Sequence, residues 1–161
     1  MTVNDYNDCV NQFSDGVYRF VLKHIKDRDK ASDVVQDVFL KMWEKVETIS
    51  VETAKSYLFT AANHTLIDEV RKTQIHRRFV DAQPIEREYE KSYSDVYEVL
   101  DKVMDNLPPD QKSVLMLRDY EGYSYDEIAE ITGLSEAQVK VYIFRARTYL
   151  KTQLVSIDHL I

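Results

Sequence analysis

Two short predicted helices joined by a glycine turn, between residues 123 and 147, most constrain how this 161-residue chain can fold. Each begins with a serine followed three residues later by Glu or Gln, the capping-box pattern: the pairs are Ser124 with Glu127, and Ser135 with Gln138. Gly133 supplies the left-handed conformation that ends the first helix. With Ala129 and Val139 at positions where the two helices would cross, this pattern predicts a helix-turn-helix.

The second of these helices is basic, whereas the stretch before it is acidic. Between residues 135 and 151 there is one acid, Glu136, and the four bases are Lys140, Arg145, Arg147 and Lys151. A basic second helix is suited to lie in the major groove of DNA, with its cations on phosphates and its first residues on base edges. The alternative interpretation is a solvated basic helix in an all-helical protein.

Composition favours an ordered helical protein but sets a puzzle for DNA binding. About 44% of the residues are hydrophobic, and the chain has only three glycines and three prolines. Its net charge of −7 is unusual for a protein that binds DNA unaided. An acidic chain must either concentrate its bases or bind DNA through a larger partner.

The sequence gives no indication of a metal site, a disulfide or a membrane segment. Cys9 is the single cysteine, and no Cys/His cluster has zinc spacing. No N-terminal segment resembles a signal peptide, and no apolar run is long enough to span a membrane. We therefore predict a cytoplasmic protein without cofactor and without direct membrane insertion.

Helical periods of apolar residues predict three helices before residue 73, over residues 4–26, 31–47 and 50–72. The second has the sharpest stripe, formed by Val34, Val35, Val38, Phe39, Met42, Trp43 and Val46. Asp29, in the charged break before it, is the predicted N-cap. Its opposite, polar face is either solvated or a partner surface, and periodicity does not separate the two.

The third predicted helix ends in a basic pair, Arg71 and Lys72. Cations favour a helix C-terminus, so the helix dipole alone could explain the pair. Exposed aromatic and polar residues along the same helix would equally suit stacking against unpaired bases.

Residues 73–94 lose the helical period and contain Pro84, which predicts a linker. A helix resumes at residue 95, is broken by Pro108, and is followed by a helix with Pro109 at its first position. We predict an all-α fold of two small helical domains joined by a flexible linker, the C-terminal one a helix-turn-helix. The predicted bounds are 1–75, 76–94 for the linker, and 95–161.

Three stretches in this order resemble a bacterial RNA polymerase sigma factor of the extracytoplasmic-function (ECF) group. They are VVQDVFLKMWEKV, SYLFTAANHTLIDEVRK, and the long run from LPPDQ to RARTYLK. The resemblance implies a non-enzymatic sigma factor that directs RNA polymerase to specific promoters. The implied partners are core RNA polymerase, through its β′ and β subunits, promoter DNA, and a controlling anti-sigma factor.

The resemblance also implies three sets of site residues. The helix over 31–47 would dock on the polymerase β′ coiled coil through Asp33, Gln36, Asp37, Leu40 and Trp43. The helix over 50–72 would hold the non-template strand of the −10 element through Asn63, His64, Asp68, Arg71 and Lys72. The helix-turn-helix would read the −35 duplex through Ser135, Gln138, Lys140, Val141, Phe144 and Arg145.

Two other classes of protein fit the sequence less well. A response-type regulator would place an α/β receiver or a ligand-binding sheet before the helix-turn-helix, and no strand is predicted there. A helix-bundle metalloenzyme would need Glu-x-x-His pairs, which His24, His64, His76 and His159 lack. No glycine-rich phosphate loop can be built from Gly16, Gly122 and Gly133.

Overall fold

The computed structural model describes the backbone of residues 1–79 and 95–158, and the side chains of residues 1–73 and 98–155. The described residues form seven helices and no strand, which confirms the all-α prediction. The helices are α1 (Val3–Ile25), α2 (Arg28–Glu44), α3 (Val51–Phe79), α4 (Asp95–Asp105), α5 (Pro109–Asp119), α6 (Tyr125–Thr132) and α7 (Glu136–Asp158).

The N-terminal bundle consists of α1, α2 and α3, each packed against the other two. α1 begins with a capping box in which the Thr2 side chain accepts from the Asp5 N–H and the Asp5 carboxylate accepts from the Thr2 N–H. Val17, Phe20 and Val21 of α1 are fully buried. They lie at helical spacing, so one face of α1 forms part of the core.

The N-cap of α2 is Asp27, so the prediction of Asp29 was wrong. Asp27 has an extended backbone, and its carboxylate accepts from the N–H groups of Asp29 and Lys30 at 3.0 and 3.1 Å. Asp29 lies in the first turn instead, where its negative charge favours the positive end of the helix dipole.

α3 continues past its predicted end to Phe79, so residues 76–79 of the predicted linker are helical. The predicted flexible linker between residues 80 and 94 lies outside the described residues. Arg71 and Lys72 therefore lie about two turns before the end of α3. Because the dipole effect is confined to the last turn, it does not explain this basic pair.

The C-terminal bundle contains α4 to α7, and α6 with α7 forms the predicted helix-turn-helix. Gly133 has φ +76°, in the left-handed region that favours glycine. Val139 is fully buried between the two helices, together with Ile128 and Ile131. The serine half of the first predicted capping box is present, because the Ser124 hydroxyl oxygen accepts from the Glu127 N–H at 3.3 Å.

The two bundles pack against each other, and their buried apolar side chains form one continuous cluster. α3 packs on α6 and α5. Ion pairs cross this bundle interface: Arg19 with Glu121 at 3.0 Å, Lys23 with Asp101 at 3.3 Å, and Lys26 with Asp105 at 3.3 Å.

The centre of the bundle interface contains a buried ammonium and a neutral imidazole. Lys112 Nζ donates to the Lys23 carbonyl and to Asp105 Oδ1, and burial lowers the pKa of Lys112. His24 Nδ1 donates to the Phe20 carbonyl at 2.9 Å, so its Nε2 accepts from the Ser113 hydroxyl at 3.1 Å. Burial first, and then the Lys112 ammonium, lowers the pKa of His24 to about 3. The interface thus keeps His24 uncharged.

Candidate nucleic-acid interface

α7 separates a buried face from an exposed one along its first three turns. Val139, Ile143 and Ala146 are buried on the side where α7 packs against α5, α6 and α4. The exposed face carries every residue of the predicted −35 set on α7, together with Ser135 at its start: Ser135, Gln138, Lys140, Val141, Phe144 and Arg145 are all exposed. The structure therefore brings the whole −35 set together on one accessible surface.

Ser135 and Gln138 also cap α7. The Ser135 hydroxyl oxygen accepts from the Gln138 N–H at 3.1 Å, and Gln138 Oε1 accepts from the Ser135 N–H at 3.0 Å. This is the second capping box, as predicted. The cap uses acceptor atoms, so the Ser135 hydroxyl proton and the Gln138 amide protons remain available as donors.

The basic residues of α7 divide into paired and unpaired ones. Arg147 makes a two-pronged ion pair with Asp119 of α5, and Lys140 pairs with Glu136 at 3.4 Å. Arg145 makes no ion pair within the part of the chain that the structure describes. Arg145 is therefore the cation of the predicted set that is freest to meet a phosphate.

Phe144 is the most exposed large apolar side chain of the described residues, at 71%, and Val141 one turn before it is 43% exposed. Both project from the basic face of α7. Since apolar side chains on a groove-reading helix contact the thymine methyl group, this pair suits base contact.

The structure divides the predicted −10 set on α3 between two faces. His64, Asp68, Arg71 and Lys72 are exposed and follow each other at helical spacing. Asn63 is buried at 4% exposure, and its Oδ1 atom has no hydrogen-bond partner among the described residues. In this arrangement Asn63 does not reach the surface with the other four.

The polar face of α2 is open over its whole length. The predicted polymerase set, Asp33, Gln36, Asp37, Leu40 and Trp43, is exposed throughout. Trp43 was predicted from periodicity to belong to the core stripe, but it is 43% exposed and packs edge-on against Tyr6 at 5.0 Å between ring centroids. Leu40, beside it, is 54% exposed.

Sequence reasoning missed the contacts that Tyr123 makes with α3. Tyr123, just before α6, packs edge-on against Phe59 of α3 at 5.3 Å, and Lys55 Nζ lies 4.0 Å from the Tyr123 ring centroid. Burial raises the pKa of Tyr123. No local sequence pattern links residues this far apart, so only the structure reveals the contact.

Other kinds of site find no support in the structure. Among the described residues, no group of His, Cys, Asp and Glu is arranged to hold a metal ion. Within the same residues, no helix is both long and apolar enough to cross a membrane.

Comparison with known proteins assigns both bundles to one family. Residues 9–75 match the model for sigma-70 region 2, and residues 97–150 match the model for sigma-70 region 4. RNA polymerase sigma factor SigV of Bacillus subtilis is 34% identical over 153 residues, covering 93% of this chain and 91% of SigV. The ECF RNA polymerase sigma factor SigM of the same organism is 29% identical, over 90% of this chain and 92% of SigM.

A solved structure has the same fold. The sigma factor RpoE of Bartonella quintana, crystallised in complex with the anti-sigma factor NepR, is similar with a TM-score of 0.75 and 24% identity. The match covers 94% of this chain and 98% of RpoE. With both regions matched in order, and with relatives covered over nearly their full length, the chain belongs to the ECF group of bacterial RNA polymerase sigma factors.

Proposed function

We propose that this sigma factor recruits core RNA polymerase to promoters through three separate surfaces. The polar face of α2 docks on the polymerase, α3 holds the unpaired −10 strand, and the exposed face of α7 reads the −35 duplex. The N-terminal domain (1–75) then carries the first two surfaces, the C-terminal domain (95–161) carries the third, and residues 76–94 connect them.

The observation that carries this proposal is the surface of α2. Leu40 and Trp43 are 54% and 43% exposed beside the acids Asp33 and Asp37. Solvated helix faces rarely present a large aliphatic and an indole side by side, whereas protein interfaces are enriched in such anchors within a polar rim. Tyr6 fixes the indole from one edge, so Trp43 is held in place for a partner.

The −10 assignment gains support from the length of α3. Arg71 and Lys72 are exposed well inside the helix, where the dipole does not account for them. His64 and Asp68 extend the same exposed face toward the N-terminus. Proteins bind single strands with cations that contact the phosphate backbone and with rings that stack on the unpaired bases.

The −35 assignment is consistent with the acidic net charge of the chain. Arg147 and Lys140 are paired with acids, so within the described part of α7 the free positive charge is limited to Arg145 and Lys151. Such a helix binds DNA weakly by itself because phosphate contacts supply most of the affinity. Docking on polymerase through α2 would supply the missing affinity by raising the effective concentration of α7 at the promoter.

We also propose that an anti-sigma protein regulates this chain. Two sigma factors of similar fold were solved as complexes with such proteins: RpoE with NepR, and CnrH with the cytosolic domain of CnrY. The exposed apolar pair on α2 offers a surface that a protein inhibitor can cover in competition with polymerase.

The direct test is binding to bacterial core RNA polymerase by the full chain and by Asp37→Arg. Asp37 is exposed and, among the described residues, pairs only with Lys41, at 3.9 Å, so its replacement should leave the fold intact. We expect the native chain to bind and Asp37→Arg to lose binding by tenfold or more, roughly 1.4 kcal/mol or above.

Asp8→Arg is the matched control, because Asp8 is an exposed acid on α1 outside all three proposed surfaces. It changes the net charge by the same amount and should bind like the native chain. Circular dichroism checks that both variants stay helical. Equal binding by Asp37→Arg and Asp8→Arg would refute docking through α2.

A further inference from the structure

One stripe of α3 faces the C-terminal bundle instead of solvent. Lys55 and Phe59 both contact Tyr123, at 4.0 and 5.3 Å from the ring. Asn63 and Ile67 continue the stripe at four-residue spacing and are 4% and 8% exposed. We call these four residues the covered stripe. α6, which begins just after Tyr123, is the helix that packs along α3 on this side.

We propose that the C-terminal bundle masks part of the −10 surface in the free protein, so that capture of the −10 strand requires the two bundles to separate. The inference rests on the proposed role of α3 and in particular of Asn63. It adds that the chain inhibits itself at this one surface, through its own contacts and without a partner.

The masking is selective. The polymerase set on α2 and the −35 set on α7 are exposed in the same structure, whereas Asn63 is not. The closed protein can therefore engage polymerase and −35 duplex first. The full −10 set, with Asn63 beside His64, assembles only after the bundles part.

The bundle interface contains two buried polar atoms whose hydrogen bonds to water are lost on closing. Asn63 Oδ1 and the Tyr123 hydroxyl are buried without hydrogen-bond partners within the described residues. Both atoms gain water when the bundles separate, which favours opening. Opening is opposed by the apolar cluster shared by the two bundles, by the hydrogen bonds of Lys112 and Ser113 to α1, and by two ion pairs: Arg19 with Glu121 and Lys23 with Asp101. Such partly solvated ion pairs are weak individually and exchange readily for water.

Arg19 and Glu121 offer a way to shift this balance without touching any proposed binding surface. The guanidinium bonds both carboxylate oxygens, at 3.0 and 3.2 Å from Nη2. Glu121→Arg places two cations together and should open the interface, as should Arg19→Glu with two acids. The double variant restores an attractive pair with reversed signs and should close the interface again.

Thiol labelling measures the opening directly and needs no DNA. Asn63→Cys, in a Cys9→Ala background, reports access to the covered stripe through its reaction with a maleimide. His64→Cys is the reference, because His64 is the exposed neighbour on the same helix. We expect Asn63→Cys to react at least about tenfold more slowly than His64→Cys, since it must await opening.

Adding Glu121→Arg or Arg19→Glu should raise the Asn63→Cys rate several-fold, and combining the two should lower it again. Asp119→Arg is the matched control: it makes the same charge change as Glu121→Arg two residues earlier. It breaks an ion pair with Arg147 that lies within the C-terminal bundle. Asp119→Arg should leave the labelling rate unchanged.

Equal labelling rates for Asn63→Cys and His64→Cys in the otherwise native chain would overturn the masking, whatever the chain binds. Failure of the double variant to restore slow labelling would overturn the role of the Arg19–Glu121 pair. A chain that shows masked labelling but no binding to core polymerase would keep the closed interface and refute the proposed function. The two failures are therefore distinguishable.

Discussion

The two proposed DNA-binding helices, α3 and α7, differ in how far their proposed contact residues are exposed to solvent. Every proposed contact residue of α7 faces solvent, and the core-facing side of α7 packs only on helices of its own bundle among the described residues, chiefly α5 and α6. α3 has two buried faces, one toward its own bundle and one toward the other bundle, and the second includes a proposed contact residue. The proposed duplex-binding surface of α7 is therefore always accessible. The accessibility of the proposed strand-binding surface of α3 depends on a long-range contact between the bundles.

The largest expected effect comes from the buried face of α7. Ile143→Ala should lower the free energy of unfolding by about 2–5 kcal/mol, because Ile143 is only 2% exposed and its loss leaves a cavity. Phe144→Ala, at the neighbouring exposed position, should change it by less than about 0.5 kcal/mol. Urea denaturation of both variants makes the comparison. Similar losses for the two would mean that Phe144 packs against the protein in solution.

Acid should weaken the bundle interface, which covers part of α3 but leaves the contact face of α7 exposed. The unfolded chain protonates His24 near its ordinary pKa of 6.5, whereas the folded chain resists down to about 3. Stability contributed by neutral His24 is therefore present above pH 6.5 and is lost as the pH falls from 6.5 toward 3. The loss reaches up to about 3 kcal/mol near pH 4.5.

His24→Gln removes this titration and supplies the control. Between about pH 7 and about pH 4.5, the free energy of unfolding of His24→Gln should fall less than that of the native chain. The difference should equal the loss of stability that His24 causes in the native chain. Parallel pH profiles for the native chain and His24→Gln would show that His24 is accessible to protons in the folded state.

A smaller effect on stability, and one of opposite sign, is expected from substitution of Tyr123. Tyr123→Phe removes a buried hydroxyl that has no partner among the described residues and keeps the ring on Phe59. It should stabilise the closed arrangement by about 1 kcal/mol and slow maleimide labelling of Asn63→Cys further. Thermal unfolding and the labelling rate measure the two consequences. Faster labelling would indicate that the hydroxyl holds the bundles together through a bond to water.

The smallest effect concerns the open surface of α7. Arg145→Ala should flatten the salt dependence of −35 duplex binding by about one unit of slope, because it removes one phosphate contact. Lys151→Ala, an exposed base two turns further along α7, is the control for general charge loss. Equal changes in slope for both variants would place Arg145 outside the specific contact.

Short-range chemistry accounts for what the sequence could predict. The helix-turn-helix follows from caps and a left-handed glycine within a few residues of each other, and Ser135, Gln138 and Gly133 behave as predicted. Apolar periodicity similarly predicts the buried faces of α1 and α2. The choice between Asp27 and Asp29 as N-cap escaped prediction because both acids suit a helix start, and only the backbone at Asp27 is extended.

Long-range contacts account for the rest. Arg19 and Glu121 are 102 residues apart, and nothing in the local sequence of either selects the other. The burial of Asn63 depends on where the second bundle packs, so resemblance predicts its role but not its inaccessibility. Trp43 illustrates the same limit, because periodicity places it at the edge of the α2 stripe and only packing decides which side it takes.

The Lys112 ammonium has a consequence for how the protein is made. Its donation to the Lys23 carbonyl completes the C-terminus of α1, whose last carbonyl groups lack partners within the helix. Residues 1–79 are synthesised first and emerge from the ribosome before the bundle that contains Lys112. The nascent N-terminal bundle therefore emerges with the Lys23 carbonyl lacking its Lys112 donor and with the covered stripe bare. In a truncated protein that ends after α3, the covered stripe stays exposed permanently. Strand binding by that protein therefore measures the affinity of a form that the full chain adopts only when the bundles separate.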